Sequence, residues 1–198
     1  MPSRAQLAFA VSVLVVAIAI AAAAFYYYVP GVTGSGQALI GGPFSLLDHT
    51  GKRVTEKDFL GKYPLIFFGY TYCPDICPTE LQVMSAALDQ MGEAGNAIQP
   101  VFITVDPQRD APQVLKAYVE NFHPRLVGLT GTADEVAVAA KAYRVYYSKA
   151  SGAAAGDYLM DHSSILYLMG PDGKFLKHFT YTTDAKALAV ELNAAITR

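Results

Sequence analysis

Pro64-Leu-Ile-Phe-Phe-Gly-Tyr-Thr-Tyr-Cys73-Pro-Asp-Ile-Cys77-Pro-Thr-Glu-Leu81 is the stretch on which the reading of this chain turns. Residues 64–69 form a continuous apolar run, the pattern of a strand buried on both faces. A loop holding both cysteines of the chain follows at once. Pro78 then opens a helix predicted to reach about Met91, with Leu81, Met84, Leu88 and Met91 at core spacing. Proline favours the first helical position, which makes Cys77 the expected N-cap, its sulfur near free backbone N–H groups and its pKa depressed. A thiolate is both a nucleophile and a metal ligand, so the pair reads as a redox dithiol, a metal site or a structural disulfide. The disulfide is the weakest of the three, because closing a loop of about five residues gains only ~2 kcal/mol against ~3 kcal/mol for about fifteen.

Working outward, residues 44–47 and 53–54 flank Asp48-His49-Thr50-Gly51 as an opening hairpin. Residues 100–105 are a second buried strand, turned by Asp106-Pro107. Asp110 is placed to cap a helix with Val114, Leu115, Tyr118, Val119 and Phe122 on its inner face. A short strand over 126–129 precedes a helix that Thr132 and Glu135 cap and that reaches about Tyr143. Residues 148–156 read as the flexible tip of a β excursion with arms 144–147 and 158–160. Pro171-Asp-Gly173 joins strands over 164–169 and 174–179, and a last helix from about Thr183 turns Leu188, Leu192 and Ile196 inward. This order predicts an α/β, thioredoxin-like three-layer sandwich with an extra N-terminal hairpin and an inserted β excursion. The cysteine loop then lies at the C-terminal strand edge, the usual functional edge of an open α/β sheet.

The N-terminus adds a tether. Residues 7–29 are apolar apart from Ser12, about 23 residues that as a helix reach roughly 34 Å, enough for a hydrocarbon core of about 30 Å. Arg4 precedes the run, and Tyr26, Tyr27 and Tyr28 end it like an interfacial belt, which predicts an uncleaved anchor with its N-terminus in the cytoplasm. The competing reading is a cleaved signal peptide, for which Ala22 to Ala24 supply small residues. The expected organisation is a cytoplasmic N-terminus over 1–6, a transmembrane anchor over 7–29, a flexible Gly-rich linker over 30–42 and one domain over 43–198. The expected location is a bacterial inner membrane, single pass, with the C-terminal domain in the periplasm. A net charge of −2 with no basic run argues against nucleic acid as a partner. Two cysteines placed together in an exported domain build no disulfide framework, so their thiols are managed for a role.

Two thiolates suit Cu(I), and an added imidazole also suits Cu(II) or Zn(II). Of the four histidines, His49 falls in a turn, His123 at a helix end before a proline and His178 along a strand, where solvated or local hydrogen-bonding roles are expected. His162 differs, standing in Asp161-His162-Ser163-Ser164 just before an apolar strand. Sequence spacing does not show that it meets the cysteines.

Gly69-Tyr-Thr-Tyr-Cys-Pro-Asp-Ile-Cys-Pro-Thr-Glu-Leu81, Ile103-Thr-Val-Asp-Pro-Gln-Arg-Asp110 and Asp157-Tyr-Leu-Met-Asp-His-Ser-Ser164 together resemble the signatures of the Sco/SenC family of copper-binding cytochrome c oxidase assembly proteins. The resemblance runs from about Phe44 to Ile196. It implies Cys73 and Cys77 as thiolate ligands and His162 as the imidazole ligand of copper, Cu(I) and also Cu(II). It implies a metallochaperone more than an enzyme, serving the binuclear copper centre of cytochrome c oxidase subunit II, with a periplasmic copper donor and a thiol reductant as further partners. The alternative is a thiol–disulfide oxidoreductase in which Cys73 and Cys77 are the catalytic redox pair. Asp75 and Asp161 are candidates for orienting the ligands, with turn formation and capping as their ordinary role. Asp106 and Arg109 are candidates to pair near the site, and a surface turn explains them equally well. A peroxidase lacks the arginine expected beside the cysteines in sequence.

Overall fold

The computed structural model describes residues 12–21, 23, 25, 40–150 and 158–197. The chain falls into two compact units, Met1–Ala38 and Leu39–Arg198. In the first, residues 12–21 are helical with exposed side chains. Among the described residues no helix is long and apolar enough to cross a membrane, and both ends of the 7–29 span lie outside them.

The second unit is built on a seven-stranded mixed sheet. Its strands are β1 (Ser45–Asp48), β2 (Arg53–Thr55), β3 (Tyr63–Gly69), β4 (Ile98–Thr104), β5 (Val127–Thr130), β8 (Ile165–Met169) and β9 (Phe175–Thr180). They lie in the order β2-β1-β5-β4-β3-β8-β9. The neighbours β3–β4 and β4–β5 are parallel, and the remaining pairs are antiparallel. The other two strands, β6 (Tyr147–Lys149) and β7 (Met160–His162), form a separate two-stranded ribbon. Four α-helices complete the unit: α1 (Ile76–Met91), α2 (Pro112–Val119), α3 (Ala133–Ala142) and α4 (Ala185–Ile196).

Consecutive residues of β3 and β4 are buried, as two covered faces require. Phe67, Phe68, Phe102 and Ile103 have no exposed surface at this centre. Helix α1 packs on α4, while α2 lies over β5 and α3 against β1. The expected inner faces are largely observed, with Leu81, Met84, Leu88, Leu188 and Leu192 buried. Val114, expected inward, is instead exposed. The capping box of α3 forms as read from sequence. The Glu135 N–H donates to the Thr132 hydroxyl at 3.2 Å, and the Thr132 N–H donates to the Glu135 carboxylate at 2.8 Å.

Two caps differ from expectation. Helix α1 begins at Ile76 with Asp75 at the N-cap, so Cys77 and Pro78 lie inside its first turn, where proline's missing N–H costs no intrahelical bond. Helix α2 is preceded by Ala111, because Asp110 is drawn into the interior. There its carboxylate accepts from the Thr71 N–H at 3.0 Å, the Thr71 hydroxyl at 2.6 Å and the Thr104 hydroxyl at 2.6 Å. That side chain ties the end of β4 to the start of the cysteine loop. The arms of the β excursion pair two to three residues later than expected, which makes His162 the last residue of β7. Residues 151–156 of its expected tip lie outside the described residues.

Candidate metal centre

The loop after β3 and the end of β7 meet at the C-terminal edge of the sheet. There one donor atom each of Cys73, Cys77 and His162 lies within 4.8 Å of the others. The Cys77 sulfur is 3.3 Å from His162 Nε2. His162 Nδ1 lies 3.2 Å from the Ser163 carbonyl oxygen. A carbonyl can only accept, so Nδ1 donates there and Nε2 is the ring nitrogen that faces the sulfurs. The imidazole is also packed edge-on by Phe67, at 6.0 Å between centroids, and by Tyr70, at 5.9 Å.

The electrostatics of the two thiols are opposite, and the reverse of the sequence expectation. Cys73 is brought down to about 4, first by the Cys77 thiol donating to it and further by His162 and the backbone N–H groups of Cys77 and Asp75, against the effect of burial. The Cys77 N–H reaches the Cys73 sulfur at 3.3 Å. Cys77 is pushed up because its thiol proton is held by Cys73 and because it is buried. The physical reason is the helix start. With α1 beginning at Ile76, the open N–H groups point back at Cys73, which takes the anion's place at the helix N-terminus.

The site is also less open than a loop implies. Cys77 has no exposed surface and Cys73 retains 8%. His162 is half-buried on a shallow, open groove with Ile76, Ile165 and Tyr181. Gly69 sets the floor, since a Cβ there would come within 2.9 Å of the Cys77 sulfur and 2.9 Å of the Phe102 ring.

Asp75 and Asp161 are both exposed. Asp75 contributes its backbone N–H to Cys73, and the partner of His162 Nδ1 is the carbonyl of Ser163. The other histidines have local roles. His49 Nδ1 accepts from the Gly128 N–H, His123 Nδ1 accepts from the Arg125 N–H, and His178 stacks on Phe175.

Arg109 does come to the cysteine loop in space, with its guanidinium 4.6 Å from the Tyr72 ring. Its charge is taken up by Asp106. Sequence reasoning did not single out Glu80, which follows Cys77 by one helical turn. Glu80 is 1% exposed, neither carboxylate oxygen has a hydrogen-bond partner among the described residues, and burial pushes it up to about 7. A glutamate among the apolar positions of the α1 inner face was the available signal.

Fold and site together define a thioredoxin-like domain that carries a two-thiol, one-imidazole centre at its functional edge. The SCO1/SenC family model matches residues 32–197, and the chain belongs to that family. It is 50% identical over 146 residues to the human mitochondrial SCO1 homolog, covering 73% of this chain and 48% of that protein. It is 48% identical over 155 residues to mitochondrial SCO1 of Saccharomyces cerevisiae, covering 77% and 52%. The chain thus spans about half the length of these curated relatives. Among solved structures it resembles Arabidopsis thaliana ScoI with copper bound, at a TM-score of 0.76 and 46% identity, covering 80% of this chain and 98% of that one. Bradyrhizobium japonicum ScoI, also with copper bound, matches at a TM-score of 0.73 and 45% identity, covering 79% and 99%.

Proposed function

We propose that this chain is a membrane-anchored copper carrier that assists assembly of the binuclear copper centre of cytochrome c oxidase subunit II. Cys73, Cys77 and His162 would hold the cargo ion. The observation that carries this reading is the convergence of two sulfurs and an imidazole nitrogen within 4.8 Å, a soft donor set matched to Cu(I) and extended by nitrogen to Cu(II). Cys73 offers a ready thiolate, and Cys77 releases its proton when the ion enters, so loading is favoured as pH rises. Three protein ligands, one of them half-buried, leave room for a partner's ligand to enter as one of these leaves.

Residues 7–29 are read as the anchor, 1–6 as its cytoplasmic end, 30–42 as a linker and 43–198 as the copper-binding domain in the periplasm of a bacterium. The apolar side chains exposed along residues 12–21 support an anchor, since such a helix needs cover. Subunit II, a copper donor and a reductant that keeps the pair as thiols are the partners this reading requires.

A second reading has a specific observation behind it. A thiol held near 4 beside a raised one is the asymmetry of a dithiol that attacks and resolves disulfides. A Sco protein described as carrying a disulfide switch shares the fold at a TM-score of 0.62 and 25% identity. On this reading the chain reduces the cysteines of subunit II.

The test is copper loading of the reduced protein before and after His162→Ala. The carrier reading expects loss of Cu(II) and of its thiolate absorption. Unchanged copper retention sinks the three-ligand site and favours the reductase.

A further inference from the structure

One guanidinium stands between the cysteine loop and the strand that carries His162. Arg109 lies 3.7 Å from the centre of the Tyr158 ring, 4.6 Å from that of Tyr72 and 5.8 Å from that of Tyr70. Tyr72 directly precedes Cys73, and Tyr158 leads into β7, which ends at His162. Asp106 binds both sides of the junction, pairing with Arg109 Nε and accepting from the Tyr158 hydroxyl at 2.7 Å. The Nη2 of Arg109 is buried without a hydrogen-bond partner, so ring faces, not acceptors, meet that part of the guanidinium. The ribbon that bears His162 is not hydrogen-bonded into the main sheet. Beyond its short chain link to β8, its position is set by side-chain contacts of this kind, along with the Tyr70 hydroxyl on the Met160 backbone. Tyr70 in turn packs at 90° against His162.

We propose that Arg109 is a positioning residue whose aromatic clasp on Tyr158, Tyr72 and Tyr70 holds His162 in reach of the two sulfurs. It touches no donor atom in this role. Both thiols stand on the loop and first turn of α1, fixed by the helix start, whereas the imidazole stands on the ribbon that Arg109 fastens. Loss of the clasp thus removes the nitrogen from the donor set and leaves the sulfurs. The inference rests on the three-ligand reading, and it separates the ligand that stays from the ligand that comes and goes.

The experiment compares Arg109→Gln, His162→Ala and the double variant in the full chain, reduced and loaded with Cu(I) or Cu(II). Arg109→Gln is expected to weaken Cu(II) retention by about 10–100-fold, the range for residues that orient ligands, and to diminish the thiolate-to-Cu(II) absorption. Cu(I) retention by the two thiolates is expected to persist. In the metal-free protein the His162 ring resonances are expected to broaden. The double variant is expected to match His162→Ala, because both changes remove the same ligand. If Arg109→Gln keeps the wild-type Cu(II) signature while His162→Ala loses it, the clasp has no role and the site stands. If His162→Ala changes nothing, the three-ligand reading falls and takes the inference with it. A further loss of Cu(II) in the double variant shows that Arg109 acts elsewhere and overturns the proposal. Should Arg109→Gln fail to fold, Tyr158→Leu breaks the same clasp from the ribbon side, and wild-type copper and ring signals in that variant also overturn it.

Discussion

The Cys77 sulfur and His162 Nε2 lie 3.3 Å apart although 85 residues separate them in the chain. Two devices close that gap. Strand β8 pairs antiparallel with β3, register Leu65↔Leu168 to Phe67↔Leu166, which brings the segment before β8 beside the segment after β3. The β6–β7 ribbon then ends on His162, with the Ser163 N–H donating to the Tyr146 carbonyl at 3.0 Å. The metal centre is therefore a product of sheet pairing, and the cysteine pair alone is a product of local sequence.

The unequal thiols give the first prediction. With Cys73 held near 4, its thiolate persists well below neutral pH while Cys77 stays protonated and fully buried. Alkylation of the reduced, metal-free protein with iodoacetamide at pH 5.5, read by mass spectrometry, is expected to modify Cys73 in preference to Cys77. Cys77→Ala removes the largest contribution lowering Cys73 and is expected to move the pH midpoint of its alkylation upward. Equal labelling of both thiols at pH 5.5 would refute the assignment.

Gly69 gives the second. Its φ is unremarkable, so the requirement is space. An added Cβ meets Cys77 Sγ and Phe102 Cε2 at 2.9 Å and Phe67 Cε1 at 3.2 Å. Two of the neighbours are rings at the centre of the sheet, which leaves Cys77 as the group that gives way. Gly69→Ala is expected to cost about 1–3 kcal/mol of stability, the usual range for overpacking. It is also expected to weaken copper retention, because the displaced sulfur is one of the proposed ligands. Urea unfolding and copper titration of one preparation check both. A variant that unfolds earlier yet holds copper as before would show that the strain is relieved at Phe102 instead.

Much of this was legible in the sequence, and most of the misses lie where distant residues meet. Continuous apolar runs gave β3 and β4, the Thr132–Glu135 spacing gave the α3 cap, and Pro171-Asp-Gly173 gave the β8–β9 hairpin, all signals carried by neighbouring residues. The capping error at Asp110 arose where tertiary contacts overrode local preference, whereas the one at Cys77 is local, the helix starting two residues before Pro78 with the Cys77 N–H on the Cys73 sulfur. Asp110 sits 39 residues from Thr71, so no local pattern shows that two threonines will claim its carboxylate. Arg109 likewise meets Tyr158 only after the ribbon folds back over the strand edge. The Asp161-His162-Ser163-Ser164 context marked the proposed third ligand, but its distance from the sulfurs needed the register of β3 with β8.

Glu80 supports the last prediction, on pH and stability. In the folded chain it titrates at about 7, against a reference of 4.5, because burial without a hydrogen-bond partner disfavours the anion. Between those values the folded state keeps a proton that the unfolded state has lost, so stability must fall as pH rises from about 4.5 to 7 and level off above. The shift sets an upper bound of about 3 kcal/mol on that loss. Glu80→Gln cannot ionise and is expected to remove this part of the slope, leaving the variant more stable than wild type at pH 8 and close to it at pH 4.5. Because other groups titrate in both proteins, the quantity to measure is the difference in unfolding free energy between variant and wild type, from urea curves of the reduced, metal-free protein at several pH values. A difference that stays constant from pH 4.5 to 8 would mean that Glu80 is ionised in the fold and finds a compensating partner there.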